Sequence, residues 1–171
     1  MATVKQQNFC KMVYEAAKRL GEINPTFVAA QACLESSWGE RTIGKYNCFG
    51  ITRGSGWKGK VILSPTTEIF SSDKVKFTYP ERVTKITPIG NGKYRYSCYR
   101  YFKDFESMEQ CLDEHLRLFQ KPGYKDAWPY RKDAREFARR IADNVGCKYA
   151  TAPTYYKTMC AMIASVERIV R

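Results

Sequence analysis

The chain has one histidine, no Cys-x-x-Cys pair and an odd number of cysteines, seven among 171 residues. A structural zinc site is therefore not expected, and neither is a disulfide scaffold. The thiols read as small core residues, a usage that fits folding in a reducing compartment. No apolar run approaches the length that spans a bilayer, so no stable membrane insertion is expected. Residues 1–20 mix charged with apolar residues and lack the uninterrupted apolar core of a signal peptide, which leads us to expect synthesis in the cytoplasm without one. Repeats, low-complexity tracts and interdomain linkers are missing too, so residues 1–171 read as a single domain. Acidic residues are scarce: 17 Asp and Glu stand against 29 Lys and Arg, a net charge of +12. Such a balance favours a polyanionic partner. On charge alone nucleic acid leads. The basic residues are scattered, however, and the densest cluster, Lys132, Arg135, Arg139 and Arg140, reads as the solvated face of a helix.

Apolar spacing predicts a helix over about 5–20, ending at Gly21, and a second over about 25–38. The second opens at Asn24-Pro25, a cap followed by a residue suited to the first helical position. Seven of the eight residues from Phe27 to Leu34 are apolar, so this helix is expected to be buried on nearly all sides. At about 100° per residue, Glu35 falls among Val28, Gln31, Ala32 and Trp38. A carboxylate thus continues an apolar face in the last helical turn. Burial and the helix dipole would both raise its pKa, as a general acid near neutral pH requires.

From Phe49 to Phe102 the pattern turns to β, with strands expected at Val61–Leu63, Glu68–Phe70, Val75–Tyr79 and Arg82–Thr87. Asn91-Gly92 is a hairpin signal. Helices return at about 107–119, 133–145 and 154–170, the second of these bracketed by Asp133 as cap and Gly146 as stop. Helices around one mid-chain β region give an α+β class. Gly54-Ser-Gly-Trp-Lys-Gly59 spells a phosphate-loop pattern, but β residues follow where a dinucleotide site needs a helix. It reads as a loop.

Glu35-Ser-Ser-Trp-Gly39 and Tyr46-Asn-Cys-Phe-Gly-Ile51 resemble the glucosaminidase domains of glycoside hydrolase family 73, peptidoglycan hydrolases of autolysins, flagellar rod-assembly proteins and phage lysins. Trp57-Lys-Gly59, Thr66-Thr-Glu68, Tyr99-Arg-Tyr101, Phe105-Glu-Ser107, Glu114-His115, Tyr149-Ala-Thr-Ala-Pro153 and Tyr155-Tyr156 follow in the family's order. The likeness runs from about 25 to 165, with one insertion near 71–95. It implies a lysozyme-like arrangement, mainly helical, with a β lobe flanking a groove. It also implies an endo-β-N-acetylglucosaminidase acting on bacterial peptidoglycan, with a phage endolysin as the first setting to test.

On that resemblance Glu35 is the proton donor and Glu68 the second carboxylate, with Tyr149 in the cleft. Trp38, Tyr46, Phe49 and Trp57 would offer apolar platforms to sugar faces, and Tyr155 would join them. Asn47 would fix its loop or contact an acetamido group. His115 reads as packing or a satisfied hydrogen bond. Two routes stay open: water activated by Glu68, or attack by the substrate's own 2-acetamido group. No metal or cofactor is expected, and the chain should act as a monomer. Competing readings are a muramidase, a lytic transglycosylase, and a basic nucleic-acid-binding protein.

Overall fold

In the computed structural model, residues 2–143 and 154–171 are described. Five helices pack beside one three-stranded antiparallel sheet, an α+β architecture. Helix α1 (Val4–Leu20) starts at a capping box in which Thr3 and Gln6 satisfy each other's backbone N–H groups. Helix α2 (Pro25–Glu35) starts where Asn24 Oδ1 accepts from the N–H groups of Thr26 and Phe27 at 2.9 and 3.3 Å. Phe27 to Cys33 are all buried, as a helix apolar on every side requires. Around α2 pack α1, α4 (Ala134–Asp143) and α5 (Tyr155–Val170), while α3 (Met108–Phe119) lies against α1. Asp133 Oδ1 caps α4 by accepting from the N–H groups of Arg135 and Glu136. The expected stop, Gly146, lies outside the described residues. Among the described residues, no helix is long and apolar enough to cross a membrane.

Helix α2 ends three residues earlier than its apolar pattern predicts. Ser37, Trp38 and Gly39 take positive φ angles of 49°, 62° and 82°. The Trp38 N–H turns back to the Cys33 carbonyl at 2.7 Å. Ser36 Oγ donates to the Ala32 carbonyl at 2.6 Å and accepts from the Gly39 N–H at 2.8 Å. Gly39 is needed for contact as well as for φ: a Cβ there would lie 2.5 Å from the Phe9 ring. Trp38 is therefore off the helix, and its expected place beside Glu35 on one helical face is not realised.

The sheet runs β1 (Val61–Phe70), β3 (Lys93–Lys103), β2 (Arg82–Gly90), with β3 central. Two expected strands, Val61–Leu63 and Glu68–Phe70, are one. Pro65 lies between them without breaking it, because β1 is an edge strand and needs no donor on its outer side. Asn91 and Gly92 turn β2 into β3 with φ of 53° and 66°, the expected hairpin.

Val75–Tyr79, expected as a strand, is irregular. Its N–H groups do not join the ladder. Instead the Val75 N–H donates to Tyr96 Oη at 3.2 Å, and Tyr96 Oη donates to the Ser72 carbonyl at 2.6 Å. Phe77 approaches Phe70, which meets Tyr96 edge-on at 4.9 Å. The segment thus crosses one face of the sheet and closes a second, small core over the fully buried Tyr96. The sequence insertion near 71–95 builds this cover and the hairpin beneath it.

Residues 47–53 join the two halves. The Lys103 N–H donates to the Ile51 carbonyl at 3.0 Å and the Arg53 N–H to the Tyr101 carbonyl at 2.8 Å, extending the sheet beside β3 beyond β2. A Lys103–Glu114 ion pair ties the end of β3 to α3.

Candidate active site

Glu35 is the last residue of α2, so a nearly all-apolar helix delivers a carboxylate to the edge of the core, where the chain turns into the 36–47 loop. The side chain is exposed. Burial, one of the two causes expected to favour its protonated form, is thus absent, while the helix-end position is as expected. Its immediate surroundings can be read from the groups that feel its charge. Tyr155 is pushed above its usual range first by burial and then by Glu35. The Cys48 thiol is pushed up by its hydrogen bond to Cys111, by burial and by the charges of Cys111 and Glu35. Helix α2, the start of α5 and the 47–51 turn therefore converge at this carboxylate.

Beneath it runs a buried polar chain. Gln31, one turn before Glu35 on α2, donates from Nε2 to Tyr155 Oη at 2.8 Å. Its Oε1 is then left to face His115 Nε2 at 2.5 Å, and His115 holds the donor there. Phe49 stacks on the His115 ring at 4.0 Å and 18°, and Phe119 meets that ring edge-on at 5.0 Å. In these apolar surroundings burial lowers the His115 pKa to about 3, so the ring is neutral at ordinary pH. This chain ties α2, α3, α5 and the 47–51 turn into one platform. His115 has the packed, hydrogen-bonded place expected of it. Sequence spacing does not single out Gln31, although it is the one polar residue in the Phe27–Leu34 run and a buried amide must find partners.

Asn47 is almost fully buried. Its Nδ2 donates to the carbonyls of Ile51 and Lys103, both at 2.9 Å, and its Oδ1 accepts from the Ile51 N–H at 2.9 Å. Both amide hydrogens are engaged with the chain, which is the loop-fixing half of the expectation. Tyr46 and Phe49 are partly buried against the core beside it. Trp57 packs edge-on to Phe105 at 5.7 Å, donates from Nε1 to the Lys60 carbonyl at 3.0 Å and carries Lys103 over its ring. Trp38 lines a groove with Gln7, Ser165, Arg168 and Ile169. Ser165 lies about 15 Å along α5 from Tyr155 at about 1.5 Å per residue. Trp38 therefore belongs to the α1–α5 side, away from the Tyr155 end.

Glu68 lies on β1 opposite Tyr96, on the face covered by residues 71–81. Arg100 Nη1 pairs with it at 2.8 Å, and Arg100 Nε pairs with Glu81 at 3.1 Å. Burial opposes ionisation of Glu81, but the Tyr101 N–H, Arg100 and Arg53 outweigh it and hold that carboxyl below its usual range. The second expected carboxylate is thus part of an ion cluster that sequence spacing does not reveal. Tyr149 lies outside the described residues. Among the described residues, no group of three or more His, Cys, Asp or Glu side chains could hold a metal ion.

Residues 10–168 match the glucosaminidase family model, described as mannosyl-glycoprotein endo-beta-N-acetylglucosaminidase. The chain is 28% identical over 159 residues to the peptidoglycan hydrolase FlgJ of Vibrio parahaemolyticus, covering 90% of this chain and 44% of that protein. It is also 28% identical over 175 residues to a probable N-acetylmuramidase of Lactococcus lactis subsp. cremoris, covering 95% and 34%. Among solved structures, a peptidoglycan hydrolase mutant from Sphingomonas sp. A1 superposes with a TM-score of 0.69 at 27% identity, over 96% of this chain and 97% of that one. A C-terminally truncated glycoside hydrolase domain of Salmonella typhimurium FlgJ gives 0.67 at 25% identity, over 95% and 98%. The chain spans 44% or less of the length of these curated relatives.

Proposed function

The chain belongs to the glucosaminidase family, and on that premise we propose that it hydrolyses the glycan strand of bacterial peptidoglycan as an endo-β-N-acetylglucosaminidase. The observation that carries this reading is the Glu35 carboxyl, exposed at the end of a buried helix and backed by the Gln31–His115–Tyr155 chain. Glu35 gives its proton to the glycosidic oxygen as the bond to the anomeric carbon breaks. Exposure lets a polymer reach it. The platform below fixes the turn and the start of α5, so that an exposed group is still held by rigid elements.

The other side of the sugar has two candidate agents. In one reading Glu68 takes a proton from water, which then attacks the anomeric carbon. In the other, the sugar's own acetamido oxygen attacks, and Tyr149 orients it. The Glu68–Arg100 ion pair favours the second reading, since a carboxylate held by a guanidinium at 2.8 Å must share its lone pairs to act as a base. Under the water route, Glu68→Gln should be nearly as damaging as loss of Glu35. Under the acetamido route it should be milder, and Tyr149→Phe worse. Retention of configuration in the first product accompanies acetamido attack, and inversion accompanies water attack.

Muramidase cleavage is the alternative with specific support, because a relative carries the name N-acetylmuramidase. It differs in which sugar forms the new reducing end. The lytic setting we favour is that of a phage endolysin acting as a monomer, and the +12 charge that suits an anionic wall supports the choice of substrate. The deciding experiment is mass spectrometry of purified peptidoglycan digested with wild type and with Glu35→Gln. Reducing-end N-acetylglucosamine from wild type, and a fall of about 10²–10⁴-fold or more in the variant, is the expected result. Reducing-end N-acetylmuramic acid would transfer the assignment to muramidase, and anhydro ends to a transglycosylase. Undiminished digestion by a folded Glu35→Gln protein would remove the assignment altogether.

A further inference from the structure

The cover formed by residues 71–81 leaves the other face of the sheet open, and the proposed reaction does not use that face. Successive side chains of a strand point to opposite faces, so the pairing register sorts them. Tyr96, Cys98 and Arg100 of β3 face the cover, where Arg100 lies over the Phe77 ring and Glu68 of β1 stands opposite Tyr96. Glu68 is the one carboxylate in the three strands. The open face therefore holds no strand carboxylate, but it holds a row of cations. Arg82 stands opposite Tyr99, Lys85 opposite Ser97, Arg95 opposite Thr87 and Lys93 opposite Gly90. These are successive same-face levels of the ladder, with one cation on each. At about 3.4 Å per residue the levels lie about 6.8 Å apart, and the row runs about 20 Å. All four side chains belong to exposed residues. Among the described residues, Lys85, Lys93 and Arg95 form no ion pair.

We propose that this face docks a linear polyol phosphate, an anionic chain whose phosphodiester charges are set apart by a few carbon atoms. Each level of the row offers its cation to one phosphate. An isolated anion would meet one or two of these cations, whereas a chain with regularly spaced charges meets them all. The choice of a polymer found in bacterial walls rests on the peptidoglycan reading above.

The aromatic rings decide against single-stranded nucleic acid as the occupant. Proteins that hold single strands present open aromatic faces on which bases stack. The strand aromatics of this face are Tyr99 and Tyr101, and each already carries a guanidinium. Arg82 lies over Tyr99 at 4.0 Å, and Arg53 lies over Tyr101 at 4.9 Å. A base would have to displace them. A polyol has no ring to stack, so the capped tyrosines cost it nothing. Arg53 also lies 3.9 Å from Glu81, so it caps Tyr101 without joining the row. Arg82 Nη1 donates to the Pro80 carbonyl at 3.1 Å, which places the first cation of the row before a ligand arrives.

The test reads binding without hydrolysis, so it can fail while the role of Glu35 stands, and the reverse. Labelled poly(glycerol phosphate), a thymidine oligonucleotide and poly(glutamate), matched in charge number, are titrated by fluorescence anisotropy over a range of salt. The proteins are wild type, a variant with Lys85→Gln, Lys93→Gln and Arg95→Gln, and a control with the same loss of charge, Lys11→Gln, Lys18→Gln and Lys125→Gln, at exposed positions outside the sheet. Wild type should bind poly(glycerol phosphate) most tightly. Loss of the three sheet cations should flatten the slope of log K against log salt by about 2 and weaken binding at about 0.1 M salt by about tenfold or more. The control should lose less than about threefold. If the sheet variant does not fold, the three single changes replace it, each flattening the slope by about 0.7. Equal losses in sheet variant and control would overturn the proposal by reducing it to net charge, as would absence of binding by wild type. Tighter binding of the oligonucleotide would assign the face to nucleic acid, and tighter binding of poly(glutamate) would show no selection for phosphate; either result overturns the polyol phosphate.

Discussion

Protonating His115 should cost the fold much of its stability, and its burial sets the size of the loss. The ring is fully enclosed and titrates near 3 instead of near 6.5. The unfolded chain therefore binds a proton between those values while the folded chain does not. The contribution is fully present above pH 6.5, falls as pH drops through that window, and levels off below about 3. At about 1.4 kcal/mol per unit, acidification from pH 7 to pH 4 removes about 3 kcal/mol through this one side chain. That is a large share of a typical domain's stability of roughly 5–15 kcal/mol. Other groups also destabilise in acid: Glu81, Glu109, Glu136 and Glu167 all titrate below their usual range and lose their partners when protonated. A comparison with His115→Gln removes these common contributions. Glutamine keeps a donor for Gln31 but does not titrate. Urea unfolding at pH 7, 6, 5 and 4 should show wild type losing about 3 kcal/mol more than the variant over that range, with most of the divergence below pH 6. Parallel stability curves would refute the reasoning, because they would mean that the folded ring accepts a proton as readily as the unfolded one.

Asn47→Asp should destabilise by about 2–4 kcal/mol, since the isosteric carboxylate has no hydrogens for the Ile51 and Lys103 carbonyls and is itself nearly buried; thermal melts would check this, and an unchanged midpoint would count against Asn47 as the loop's anchor. Gly39→Ala should lower the melting temperature beyond the usual cost of a positive φ, because its Cβ would collide with Phe9, and a companion Phe9→Ala change should relieve part of the loss. If the chain hydrolyses the wall as proposed, that activity should decline as salt rises, since the Debye length falls from about 10 Å at 0.1 M to about 3 Å at 1 M; turbidity clearing that is indifferent to salt would remove the basic surface from wall attraction.

What the chain determines by itself is what depends on neighbours in sequence. The caps at Asn24 and Asp133, the apolar run of α2 and the Asn91-Gly92 turn act over a few residues, so their elements can be read directly. Glu35 at the end of α2 is legible for the same reason. Tertiary structure decided the rest. Val75–Tyr79 alternates like a strand, yet it lies across the sheet, where Tyr96, 21 residues on, accepts the Val75 N–H and Phe70 meets Phe77. Trp38 follows a helical pattern, but Ser36 and the contact of Gly39 with Phe9 end the helix before it. Glu68 reads as an ordinary strand carboxylate until β3 brings Arg100 alongside. Gln31 and His115 are separate letters in the sequence. They become a platform only when helices and turn close on one another, since a buried polar group is defined by partners that the fold alone supplies.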